Sequence, residues 1–176
     1  MSHLLVYATA DSRLHADLLI VRLKRAGIAT SLVSVLYPSK LRPNSTRCWI
    51  RGNMAYSTPC GEVAVSGMLG LRLAALKTKW SRDPLVSGLT EIGLSHEQSM
   101  SVAEKLNGDS IVVAVENADE ADLPAIYHTF RGLDIEKVHT ADTATISPEL
   151  AGRYRKFRRF FEPSGLVLAH AQASMA

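Results

Sequence analysis

The strongest constraint on the fold is a repeated pattern of punctuation. A strand-like run, a capped helical segment, a glycine stop and a second strand-like run occur near the start of the chain and again beyond residue 110. In the first copy, residues 4–8 are apolar and rich in strand formers. Asp11 then stands where a helix N-cap is needed, its carboxylate free to accept from first-turn amides. Leu14, Leu18 and Val21 recur at i, i+4 and i+7, the spacing of a core-facing helical stripe. Gly27 supplies the left-handed stop, residues 30–37 form the next strand, and Pro38 closes it. In the second copy, residues 110–115 are the clearest strand of the chain. Residues 117–122 supply caps, and Leu123, Ile126, Tyr127 and Phe130 mark a helical face. Gly132 stops that helix, and residues 136–140 close the unit.

Two βαβ units in one small domain imply an α+β fold, a ferredoxin-like sandwich with an antiparallel sheet and helices on one face. A small parallel α/β sheet satisfies the same order of elements. The expected division is an α+β domain over residues 1–143, interrupted by an insert at 42–90, and a C-terminal amphipathic basic helix and tail over 144–176. In the insert, Gly52-Asn53 reads as a hairpin turn between residues 48–51 and 54–57. Residues 63–76 read as a helix carrying Gly67, Gly70 and Ala74. A further helix opens on the capping box Ser95-His96-Glu97-Gln98, in which serine and glutamine satisfy each other's amides. Its apolar side is Met100, Ala103 and Leu106, and Gly108 ends it.

Leu4-Leu5-Val6, Asp11, Ala16, Leu23, Gly27-Ile28 and Val33-Ser34-Val35 resemble the opening of bacterial general stress and low-temperature-induced proteins. Gly93-Leu94-Ser95-His96-Glu97-Gln98 and residues 106–115 resemble their second half, so the resemblance spans most of residues 3–140. It implies a compact α+β domain in a stress-associated context, and it supplies no catalytic residues. Relatives carry a longer glycine-rich apolar segment between the halves. Here that segment is shorter and carries Arg72, Lys77 and Lys79, which argues against membrane association.

With 47% hydrophobic and 21% charged residues in 176, the composition is that of a globular chain with a core of its own. Cys48 and Cys60 lie outside any CxxC or Cys/His ligand spacing, which argues against a local zinc site and fits free thiols in a reducing cytoplasm, with a disulfide between the two as the alternative. The first residues lack the basic and apolar regions of a signal peptide. The longest apolar stretch is interrupted by Arg72 and is too short to span a bilayer. A cytoplasmic chain without a transmembrane segment is expected.

Chemistry is sparse. Of His3, His15, His96, His128, His139 and His170, none has a histidine two, three or four residues away, so no local metal pair exists. His15 and His96 are expected in water and His128 half-buried. Nucleophile-elbow, dinucleotide and phosphate-loop patterns do not occur, and Ser66-Gly67 falls within the expected glycine-bearing helix. Glu116, Asp119, Glu120 and Asp122 follow the best strand, where a helix dipole accounts for them. No metal and no cofactor are expected. The two equivalent turns after the first and third repeat strands carry Thr9, Asp11, Asn117 and Asp119, the candidate small-ligand residues.

The C-terminal segment is less bland. Ser147-Pro148-Glu149 is a helix start. Leu150, Tyr154, Phe157 and Phe161 form a narrow apolar seam at i, i+4, i+7 and i+11, and Arg153, Arg155, Lys156, Arg158 and Arg159 cover the rest. Such a helix docks its seam on the domain or on a second subunit, grips nucleic-acid phosphates, or lies on an anionic membrane. Residues 111–115 are apolar at every position, so both sides of that strand should be buried. One helix layer covers one side. The seam is therefore expected to cover the other, from the same chain or from a partner in a homodimer. The function expected from these features is that of a non-enzymatic stress-associated or regulatory module, acting by self-association or by binding a protein partner. The alternatives are small-ligand sensing and nucleic-acid contact through the basic helix.

Overall fold

Strands that are apolar on both sides need cover on both faces, and here the chain provides it. The computed structural model describes residues 3–41, 53–58, 61–75, 82–118, 120–133, 135 and 137–143. The strands are β1 (His3–Ala10), β2 (Val33–Pro38), β3 (Asn53–Thr58), β4 (Gly61–Ser66), β5 (Ile111–Ala118) and β6 (Val138–Thr143). They form one six-stranded sheet in the order β3-β4-β2-β5-β1-β6. Every neighbouring pair is antiparallel. The helices are α1 (Arg13–Arg25), α2 (Met68–Ala75), α3 (Pro84–Ile92), α4 (His96–Asn107) and α5 (Leu123–Arg131).

Alternation along the central strands divides the core in two. On one face, Val6, Ala8, Val33, Val35, Val113 and Val115 pack under Ala16, Leu19 and Leu23 of α1 and Ile126 and Phe130 of α5. On the other, Leu5, Leu36, Val65, Val112 and Ala114 pack under Leu69 and Leu73 of α2, Leu85 and Leu89 of α3, and Val102 and Leu106 of α4. The antiparallel α+β sheet of the sequence reading is present, but its helices lie on both faces rather than one. The second face is covered by the insert and the extra helix, so the C-terminal seam is not required there.

The first helix also turns the other way. Leu14, Leu18 and Val21 are 67%, 38% and 46% exposed, while Ala16, Leu19 and Leu23 are fully buried. Two apolar stripes run along α1. The one at 16, 19, 20 and 23 has the fuller i, i+3, i+4, i+7 pattern and includes an alanine small enough to let the helix close on the sheet. Asp11 is exposed and the N-cap is Ser12, whose Oγ accepts from the His15 amide at 3.2 Å. Gly27 does stop α1, at φ +89°.

The insert differs most from expectation. Residues 54–57 are strand, but their partner lies downstream. Asn53–Thr58 pairs antiparallel with Gly61–Ser66, so Asn53 stands within a strand rather than at a turn. Residues 48–51 lie outside the described residues. The segment expected as one helix is β4 followed by α2, joined at Gly67. Gly67 has φ +91°, and a Cβ there would stand 2.5 Å from the Val33 carbonyl oxygen. The Oγ of Ser34, on the neighbouring strand, accepts from the Leu69 amide at 2.9 Å and so caps α2 from outside the helix. The capping box at Ser95 and Gln98 is present as read. Met100 is exposed, however, and Ser99 and Val102 join Ala103 and Leu106 on the buried side.

Candidate functional groove

β1 and β6 run side by side with Tyr7 opposite His139 and Ala8 opposite Val138. Both rings of the first rung are on the face that α4 flanks. They stack with centroids 5.0 Å apart and planes 14° from parallel. Burial pushes the Tyr7 phenol up to about 12, so it stays a neutral hydroxyl across the physiological range. Burial, and then the charge of Lys137, hold His139 below the usual imidazole value. At neutral pH its ring is therefore uncharged, with one nitrogen donating and the other accepting.

α4 is fixed beside these strands by its own cap. Ser95 Oγ accepts from the Gln98 amide at 3.1 Å, and the Ser95 amide donates to Gln98 Oε1 at 2.9 Å. The side-chain nitrogen of Gln98 then donates to the Thr140 carbonyl at 3.3 Å, tying the helix start to the edge strand. An open groove of about 840 Å³ remains between helix and strands. Tyr7, Thr9 and His139 line it from the sheet, and Gln98, Ser101 and Lys105 from α4. Asp11, Glu97 and Lys137 add charges of both signs to its lining, and Leu133 and Ile135 an apolar edge. The groove thus offers a neutral aromatic rung, hydroxyl and amide groups that donate and accept, and charges of both signs. That inventory suits recognition of a small polar molecule.

Of the candidate ligand residues, Thr9 and Asp11 line this groove. Asn117 does not join them. Leu4 pairs with Ala118 and Ala10 with Ile111, so the turns after β1 and β5 lie at opposite ends of the sheet, roughly 20 Å apart. Residues that are equivalent in the repeat are separated because the strands carrying them run in opposite directions. Asp119 lies outside the described residues, as do Arg153, Arg155, Lys156, Arg158 and Arg159 and the seam of Leu150, Tyr154, Phe157 and Phe161. Tyr7, Gln98 and His139 carry no local ligand signal in the sequence, because they become neighbours only through strand pairing and helix docking. His15 and His96 are exposed as expected, and His128 is exposed rather than half-buried. Among the described residues no group of His, Cys, Asp and Glu could hold a metal ion, and no helix is long and apolar enough to cross a membrane.

The carboxylate run after the best strand also resolves differently. Glu116 belongs to β5 and is buried, beside the equally buried Arg72 of α2, with Nη1 to Oε1 at 3.5 Å. Arg72 Nε and Glu116 Oε2 have no hydrogen-bond partner. Burial pushes the Glu116 carboxyl up to about 7 against the pull of Arg72. Comparison of the chain with family models, curated proteins and solved structures brings no match.

Proposed function

We propose that this chain is a non-enzymatic regulatory module with a ferredoxin-like core, and that it works by binding a small polar ligand in the groove between α4, β1 and β6. The core reading is supported by the strand order β2-β5-β1-β6, in which two βαβ units interleave with α1 and α5 on one face. β3, β4, α2, α3 and α4 are then elaborations between the two units. The stress-associated setting proposed for it rests on the resemblance noted over residues 3–140, and the cytoplasmic one on the two cysteines without ligand spacing.

One observation carries the ligand reading. The groove opens on a stacked, uncharged Tyr7–His139 rung with polar groups from three elements around it. A merely solvated sheet edge has no need of such an arrangement. The test is a thermal-shift screen of polar metabolites and nucleotides on the whole chain, repeated on His139→Ala and Thr9→Val. A hit is expected to raise the melting temperature of the wild type, by a few degrees at a hundredfold excess over Kd, and to lose most of its effect in both variants. A screen with no hit, or hits that both variants keep, would reject the proposal.

A further inference from the structure

The stack of rings in the groove stops at the edge of the sheet. β6 is the outermost strand. One face of the His139 ring lies against Tyr7, and among the described residues no other ring stacks on it. Tyr7 is buried and His139 half-buried, so the imidazole is the part of the stack that solvent reaches. Its ring is uncharged at neutral pH, and covering it desolvates no charge. Thr9 stands two residues along β1 from Tyr7, on the same face. Ser101 stands about one turn beyond Gln98 on α4. Both line the groove, and neither hydroxyl has a hydrogen-bond partner among the described residues. A hydroxyl both donates and accepts, so the two can meet either kind of atom at the rim of a planar heterocycle. Charge does not choose the ligand, because Asp11 and Glu97 offset Lys105 and Lys137 in the lining. A saturated polar molecule would use the hydroxyls and leave the imidazole face in water. A flat aromatic ring uses both, and stacking on such a face is open to any aromatic ring. Leu133 and Ile135 add apolar cover beside it.

Resting on the groove reading, we infer that the ligand is a planar heteroaromatic molecule, of the size of a nucleobase, stacked on the outer face of His139 with its rim hydrogen-bonded by Thr9 and Ser101. The test is titration calorimetry and proton NMR on the full chain. The aromatic probes are adenosine, cytidine and nicotinamide, and ribose and glutamine are the polar probes without an aromatic ring. At least one aromatic probe is expected to bind, about tenfold or more tighter than either of the others. Its ring protons and those of His139 should move upfield together, because in a face-to-face stack each ring lies in the shielding region of the other. His139→Leu keeps an apolar side chain without the ring and should weaken that probe by about tenfold. His139→Phe keeps a planar face and should return it to within about threefold of the wild type. An unchanged circular dichroism melt confirms that each variant folds, and the upfield shifts are read on the wild type without any variant. Ribose or glutamine binding as tightly as the aromatic probes, and weakened by Thr9→Val, overturns the ring assignment and leaves the groove reading in place. Aromatic binding that His139→Leu retains, or that brings no upfield shift, overturns it too. If none of the five probes binds, the heteroaromatic assignment is wrong, and the groove reading is then decided by the wider metabolite screen.

Discussion

Leu18 and Leu19 are neighbours in sequence with opposite surroundings. Leu19 is fully buried under the sheet, whereas Leu18 is 38% exposed on the outer side of α1. Leu19→Ala should therefore cost about 2–5 kcal/mol, the range for a truncated core leucine. Leu18→Ala should cost less than about 0.5 kcal/mol. Urea unfolding at low protein concentration, where any dimer is dissociated, measures both. Equal losses would mean that the helix faces have been assigned wrongly. The sequence displays both stripes at helical spacing, and the one at 16, 19, 20 and 23 is the fuller by a single residue, Ile20. What separates them is the strand surface below, which accepts the stripe containing Ala16. Gly67 is the opposite case, a single residue that marks a boundary legibly in hindsight. Its positive φ and the backbone of Val33 and Ser34 close by leave room for no side chain, so the chain can turn there from β4 into α2.

Among the elements, those defined by local chemistry were the legible ones. β1, β5, the Gly27 stop and the Ser95–Gln98 box depend on residues a few positions apart, and all stand where the spacing puts them. β4 and α2 were obscured because both are apolar and run together through residues 63–75, with only Gly67 between them. The contact that holds α2 to the core was invisible for a different reason. Arg72 and Glu116 are 44 positions apart and meet only after the insert folds back. Their pH dependence follows from burial. The Glu116 carboxyl titrates near 7 in the fold and at 4.5 as a free group, so the folded chain retains a proton that the unfolded chain releases. Its contribution to stability is complete below pH 4.5 and is lost as pH rises through 7. A shift of that size corresponds to roughly 3 kcal/mol. Glu116→Gln keeps the shape without the charge. It should make the protein more stable than the wild type at pH 8, with the gain shrinking toward zero near pH 5. His139 contributes the reverse sense, since a lowered imidazole loses stability as pH falls, but it is common to both proteins and drops out of the difference. A gain of the same size at both pH values would show that Glu116 stays ionised throughout.

At the scale of the whole molecule, the sheet is covered twice by one chain, by α1 and α5 on one face and by α2, α3 and α4 on the other. The requirement for two covers was legible in residues 111–115, which are apolar at every position. The identity of the second cover was not, because it depends on how the insert returns to the sheet. The same limit applies to the groove. Thr9 and Asp11 were marked by their position after the first strand, while Tyr7 and His139 became a pair only through the β1–β6 register. The central claim is that this groove, and no other surface, receives the ligand. The most direct measurement is a two-dimensional amide spectrum of the whole chain, titrated with each compound that stabilises it. The account predicts shift changes concentrated at Tyr7, Thr9, Gln98, Ser101, Lys105 and His139, with α3 and β4 unmoved. Changes centred elsewhere, or none at saturating ligand, would contradict it.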